Sequence, residues 1–270
     1  MKELGLRPWA FALSYGRVGT YMSQVIRQLQ RSGLEFVFSA LTGSTQLPCP
    51  RHPYCRLVVG PDDDLRVFSM KLFKQILNSA DLVVADGMPL VWLGRWQGCA
   101  LRRRVYGPEL METFCRKTGQ LYRHYFYGGG PGVAGRLADI LKQPYEVHVV
   151  GTYSPPFRPL TEEEKVEVDR RIQAAAPDVV WVGMITPKQE RWMYEHRSRL
   201  SMPVMAGVGA AFNFITGVVK QAPAWMQENG LEWFFRLTQE PRRLWRRYLI
   251  IGSEFAWNVS LELLRLKKFE

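Results

Sequence analysis

Asp86 follows the apolar run Asp81–Ala85 and precedes Gly87. Such a run reads as a buried strand, and in an open α/β sheet ligands bind beyond the carboxyl ends of the strands. A carboxylate there, with a glycine to turn the chain, is placed to act as a general base. A turn aspartate in a D-G pair is the other reading of the same two residues. Further on, Thr186-Pro187-Lys188-Gln189-Glu190 follows the strand pattern Asp178–Val182. Thr186 is expected as the N-cap of a helix, with Pro187 at its first position and Gln189 at its third. Free backbone N–H groups, the positive helix end and Lys188 suit an anionic ligand such as a phosphate. A merely well-capped helix fits the same residues.

Two other strings carry chemistry of lower specificity. Asp62-Asp63-Asp64 could hold a divalent metal beside a nucleotide-sugar. It also stands just before the helical pattern Leu65, Phe68, Leu72, Ile76, Leu77, where the helix dipole favours acids. The second reading is preferred, so no metal is expected. Gly130-Pro131-Gly132-Val133-Ala134-Gly135 matches GxGxxG. A dinucleotide fold would also place an acid at the end of the next strand, about 20 residues on. That strand, read as Glu146–Val150, ends in Gly151-Thr152. The motif is therefore read as a glycine turn, and no nicotinamide cofactor is expected.

The elements that must position these residues alternate between strand and helix. Trp9–Leu13 reads as a strand, Ser14–Thr20 as a glycine loop, Tyr21–Leu29 as a helix and Leu34–Ala40 as a strand. Residues 42–55 read as loop and Arg56–Val59 as a short strand. Pro108 opens a helix after the basic run Arg102–Arg104. Tyr122–Tyr127 is a strand. Thr161–Glu164 is a capping box that starts a helix carrying Val166, Val168 and Ile172. Pro203–Val208 is a strand that runs into the glycine turn Gly207–Gly217. This order predicts an α/β fold with a Rossmann-like, mostly parallel sheet and flanking helices.

From Trp225 the chain becomes aromatic and basic, with Arg236, Arg242, Arg243, Arg246 and Arg247 among its tryptophans. Leu244, Tyr248, Ile251, Phe255 and Val259 recur at helical spacing. The stripe suits a helix packed on the domain or one lying on a membrane surface. Net charge is +11 over 270 residues, which favours anionic partners. No RNA-binding signature or zinc finger accompanies the charge, so no nucleic-acid partner is expected, although charge alone keeps that class open. The four cysteines show no CxxC spacing, which suits a reducing compartment. No signal-peptide pattern is present, and no run reaches the roughly 18 apolar residues of a spanning helix. A soluble or peripheral protein is expected.

Six strings, in order, resemble the WecG/TagA/CpsF family of bacterial glycosyltransferases. They are Ala80–Gly87, Arg104–Leu110, Phe126–Gly129, Gly151–Phe157, Pro187–Glu190, and Gly207–Gly217 with Ala222–Met226, Gly230–Leu237 and Glu240–Arg243. The resemblance implies a Rossmann-like core over residues 56–223 and a helical appendage over 224–270. Residues 1–55 lie outside it. It implies an inverting transfer of N-acetylmannosamine, its uronic acid or a related sugar in cell-surface polysaccharide synthesis. The donor would be a UDP-sugar and the acceptor a polyprenyl-diphosphate-linked sugar. The protein would be cytoplasmic and peripheral on the inner face of the membrane, bound to an anionic surface.

Carried onto this chain, the family's general base falls on Asp86. Substrate contacts fall on Gly87, Gly128, Gly129, Thr152, Ser154, Pro187, Lys188, Gln189, Glu190, Gly209, Asn213, Arg236, Arg242 and Arg243. No metal or other cofactor is implied. Gly60-Pro61-Asp62 stands where the family often has T-x-N, Asn213 where it often has Asp, and Gln221 where it often has Arg. These departures keep open a non-catalytic member that binds a lipid-linked glycan.

Overall fold

The computed structural model describes residues 13–15, 76, 80, 86–96, 103–197, 199–200, 204–264 and 266. Its sheet has the order β1-β5-β4-β2-β3. The strands are β1 (Leu13–Tyr15), β2 (His124–Gly128), β3 (Val149–Tyr153), β4 (Val179–Gly183) and β5 (Val204–Gly207). β2 pairs in parallel with β3 and β4, and β4 with β5; β1 closes one edge antiparallel to β5. This is the expected mostly parallel α/β sheet.

Helices cover both faces, which is why the central strands read as continuous apolar runs. Every residue of β2, β4 and β5 is buried. Side chains alternate across the sheet. Phe126 and Trp181 join Leu110, Met111 and Phe114 of α2 (Gly107–Thr118), Leu137 and Leu141 of α3 (Val133–Tyr145) and Phe212 of α6 (Ala211–Ile215). On the other face Tyr125, Tyr127, Val180 and Val182 meet Val168 and Ile172 of α4 (Glu162–Ala175). Trp192 and Met193 of α5 (Lys188–His196) complete that layer. Another helix, α1 (Met88–Trp96), follows Asp86-Gly87. After α6 come α7 (Ala224–Glu228), α8 (Glu232–Gln239) and α9 (Pro241–Trp245). A π-helical stretch, Arg246–Ile251, then leads into α10 (Gly252–Leu263).

The Thr161 capping box forms as read. Glu164 N–H donates to Thr161 Oγ1 at 3.2 Å and Thr161 N–H to Glu164 Oε2 at 2.9 Å. Strands β2, β4 and β5 shift by one or two residues from the sequence reading, and β1 and β3 differ more. Ser14 and Tyr15 belong to β1, because pairing with Met205 and Val204 extends them. β3 starts later than Glu146, because α3 runs on through Tyr145 and Glu146 takes a left-handed turn at φ 50. Gly151 and Thr152 therefore lie inside β3, opposite Tyr125 and Phe126. The readings over 8–12, 16–59, 62–64 and 81–85 lie outside the described residues. Of the helix expected around Leu65–Leu77, Ile76 is described, helical and buried.

Two glycines fix how closely the layers approach. A Cβ on Gly128, at φ +132, would lie 2.4 Å from the Gly183 carbonyl oxygen. A Cβ on Gly183 would lie 2.6 Å from the Phe212 ring, so α6 rests directly on the end of β4. Gly135, by contrast, meets nothing within 4 Å. The last glycine of GxGxxG thus lacks the close helix–strand contact that a dinucleotide fold gives it. Gly183→Ala is expected to lower the unfolding free energy by about 1–3 kcal/mol through overpacking. Gly135→Ala should leave it unchanged or raise it by up to about 1 kcal/mol. Urea denaturation of the two variants checks the contrast.

Candidate functional site

Among the described strands the order reverses between β2 and β4: β2 leads through α3 to β3 on one side, and β4 leads to β5 on the other. That is a topological switch point, where open α/β sheets take ligands beyond the strands' carboxyl ends. Gly128-Gly129 and Gly183 stand at those ends, with Gly129 N–H donating to Gly183 O at 2.9 Å.

Asp86 sits at the start of α1, where Val91 N–H donates to Gly87 O at 3.2 Å. The C-terminal helices are seated on the same helix. Gly230, at φ +70 between α7 and α8, lies against it so closely that a Cβ would be 2.7 Å from the Trp92 ring and 3.3 Å from Met88. Any larger residue would hold the turn off α1. The segment Arg104–Tyr106 is fixed from another side, since a Cβ on Gly107 would lie 2.6 Å from the Val208 carbonyl oxygen at the end of β5.

These three contacts bring Asp86, Arg104 and Tyr106 of the core against Gln227, Glu232 and Arg236 of the appendage. Arg104 Nη1 lies 2.7 Å from Glu232 Oε2, and the two side chains are only 13% and 14% exposed. Arg104 Nη2 donates to Gln227 Oε1 at 2.8 Å. Gln227 in turn donates to Ala222 O at 2.7 Å. The Arg104 guanidinium lies 4.3 Å above the Tyr106 ring, a cation–π distance. Tyr106 leans on Phe214 of α6 at 6.1 Å, and Arg236 lies 5.6 Å from that same ring.

Within this frame Asp86 Oδ1, Tyr106 Oη and Arg236 Nε are enclosed and have no hydrogen-bond partner among the described residues. Three unpartnered polar atoms in one place are costly to leave unmade and mark a site where a ligand can supply the partners. Burial pushes the Asp86 carboxyl up to about 6; Arg104 and Arg236 pull it down, and Glu232 pushes it up. Burial also raises the Tyr106 phenol, with Glu232 adding to the effect. A carboxylate near neutrality is matched to accept a proton, and the arginines beside it suit a developing negative charge.

The profile of the glycosyl transferase WecG/TagA/CpsF family matches residues 57–269, which include both the core and the appendage. The chain belongs to this family. It is a glycosyltransferase. A Bacillus spizizenii relative is 28% identical over 196 residues, covering 72% of this chain and 74% of its own. A Bacillus subtilis relative is 27% identical over 212 residues, covering 78% and 80%. Both are named N-acetylglucosaminyldiphosphoundecaprenol N-acetyl-beta-D-mannosaminyltransferase.

The remaining residues singled out in the sequence fall in three places. Gly128, Gly129 and Ser154 gather around the β2 end of this glycosyltransferase's sheet, whereas Thr152 lies inside β3 opposite Phe126. Ser154 Oγ donates to Gly128 O at 3.2 Å and accepts from Ala134 N–H at 3.4 Å. Thr152 is exposed on the edge strand. Pro187, Lys188, Gln189, Glu190, Gly209 and Asn213 gather at the β4–β5 ends. Gln189 is buried, and its Oε1 accepts from Gly209 N–H at 2.8 Å, which ties α5 to the turn after β5. Glu190 is buried too and accepts from Thr186 Oγ1 at 3.0 Å. Thr186 is therefore not an N-cap: the helix starts at Lys188, and the hydroxyl turns to Glu190 instead. Lys188 is exposed and Asn213 is half-buried. Arg242 and Arg243 are exposed on α9, with Arg243 paired to Glu240.

Arg104, Tyr106, Gln227 and Glu232 are the site residues that sequence reasoning did not single out. Arg104 and Tyr106 lie within the string Arg104–Leu110 and Glu232 within Gly230–Leu237, whereas Gln227 lies in none of the strings.

Because burial raises Asp86, its ionisation works against folding: that cost is absent below its unfolded pKa and grows as pH rises through about 6. Asp86→Asn removes the buried charge. It is expected to raise stability at pH 8 by about 1–3 kcal/mol and to change it little at pH 4. Chemical denaturation at both pH values checks this.

Proposed function

We propose that the protein transfers an N-acetylmannosamine-type sugar from a UDP-sugar to N-acetylglucosaminyl-diphosphoundecaprenol or a closely related lipid-linked acceptor, with inversion. The observation that carries this reading is the enclosed, unpartnered Asp86 carboxylate between Arg104 and Arg236 in a member of this family. The donor sugar, the acceptor and the β product follow the names of the two Bacillus relatives. An α-linked nucleotide-sugar gives a β product by a single displacement.

In that displacement the acceptor hydroxyl oxygen bonds to the anomeric carbon as the bond to the UDP oxygen breaks on the opposite face. The hydroxyl proton passes to Asp86. Charge gathers on the departing diphosphate, where Arg236, with its unpartnered Nε, would meet it. The glycine turn after β2 and the exposed Lys188 at the start of α5 stand at the switch point, which supports the placement of donor phosphates there.

The lipid of such an acceptor stays in a bilayer. No described helix is long and apolar enough to cross one. The appendage instead exposes Trp245, Leu249, Ile250 and Trp257 beside the exposed Arg242, Arg243 and Arg246. Apolar side chains next to cations suit a peripheral hold on an anionic leaflet, where each basic residue contributes about 1 kcal/mol.

Asp86→Asn should lower UDP release by roughly 10²- to 10⁴-fold with donor binding retained. Turnover within threefold of wild type would reject Asp86 as the base. Combined Leu249→Ser, Ile250→Ser and Trp257→Ser changes should weaken binding to phosphatidylglycerol vesicles by about tenfold or more. They should spare turnover on a water-soluble acceptor. Unchanged sedimentation with vesicles would remove the membrane role from this surface.

A further inference from the structure

The Asp86 carboxylate lies in a group of two acids and two arginines, yet one of the arginines, Arg104, is already engaged by the appendage. Arg104 Nη1 is ion-paired with Glu232, Nη2 donates to Gln227 Oε1, and the guanidinium lies over the Tyr106 ring. Both carboxamide and carboxylate come from the appendage, from the two sides of the Gly230 turn. Asp86 Oδ1 is left without a partner beside this occupied guanidinium.

We propose that Glu232 is a positioning residue for the transfer: by holding Arg104 it keeps that arginine from pairing with Asp86, so that the carboxylate stays free to take the acceptor's proton. The inference rests on the reading of Asp86 as general base. A carboxylate in direct contact with an arginine is a weaker base, since an opposite charge within a few ångströms lowers a carboxyl pKa by about 1–3 units. Glu232 opposes this in two ways. It withdraws Arg104, and its own negative charge faces Asp86. The groups acting on Asp86 are Arg104 from the segment before α2, with Tyr106 beside it, and Glu232 and Arg236 from α8. With Asp86 and Glu232 ionised, two negative charges balance two positive ones. Docking of the appendage therefore does more than cover the site: it sets the proton affinity of the base.

The alternative is that the pair only fastens the appendage to the core. Two mirrored variants separate these roles, because either one breaks the same contact. Glu232→Gln releases Arg104 and removes a negative charge, so the acid limb of kcat/KM should move down by roughly one pH unit or more. Arg104→Gln removes the cation and leaves Glu232 beside Asp86, so the limb should move up. If the pair were only a fastener, both changes would open the site to water and shift the limb the same way, toward the ordinary carboxylate range. Glu232→Asp keeps the charge and should stay near the wild-type limb.

The assay is UDP release over pH 4.5–9 with saturating acceptor, using full-length protein whose folding is checked by circular dichroism. Opposite shifts support the proposal; shifts in one direction, or none, overturn it. Should one of the two variants fail to fold, the sign of the other's shift against Glu232→Asp decides, since an Arg104→Gln limb at or below wild type, or a Glu232→Gln limb at or above it, overturns the proposal. Asp86→Asn run alongside reports on the underlying reading, because wild-type turnover there removes the base itself, whereas a dead Asp86→Asn with unshifted Glu232→Gln removes only the role of Glu232.

Discussion

The Arg104–Glu232 contact is the constraint on which the site depends. A largely buried ion pair is a weak source of net stability, because the cost of removing both charges from water offsets most of their attraction. What such a pair supplies is placement: breaking one partner leaves the other charged and enclosed, so the two surfaces dock in one arrangement. Here that arrangement is further defined by Gln227 on the second guanidinium nitrogen and by the Gly230 turn against Trp92. The consequence is that Asp86, Tyr106 and Arg236 are enclosed together with polar atoms unspent.

The sheet supplies the floor for that arrangement. Its central strands end in glycines that allow backbone to approach backbone, Gly128 to Gly183, and ring to approach backbone, Phe212 to Gly183. Gln189 then ties α5 to the Gly209 turn through a buried hydrogen bond. These contacts are short and rigid, and they stand at the reversal of strand order where a donor's phosphates would lie in the proposed reaction. The division of labour is therefore between a fixed sheet end and an appendage that completes the charged cluster.

Much of the core was legible in the sequence because local rules agree there. The apolar run Asp178–Val182 reads as a buried strand and forms one over Val179–Gly183, and the Thr161–Glu164 box caps its helix with both hydrogen bonds that its residue types predict. The readings that shifted were decided by distant partners. β3 begins at Val149 because its pairing with β2 and the left-handed Glu146 override the apolar pattern. Thr186 is a local exception: its hydroxyl donates to Glu190, four residues on, instead of capping the helix. Asp86 could be singled out because it follows an apolar run and precedes a glycine. Arg104 and Glu232 each lie in one of the family-like strings, but nothing local marks the contact that joins them across so much chain.

The central claim is that the docked appendage encloses the Asp86 carboxyl while leaving it unpaired, and so raises it toward neutrality. Carboxyl-¹³C NMR titration of aspartate-labelled protein, with Asp86 assigned by the signal lost in Asp86→Asn, tests this without any substrate. A titration midpoint of about 6 is predicted. A midpoint at or below the ordinary aspartate value of 3.8 would contradict the account.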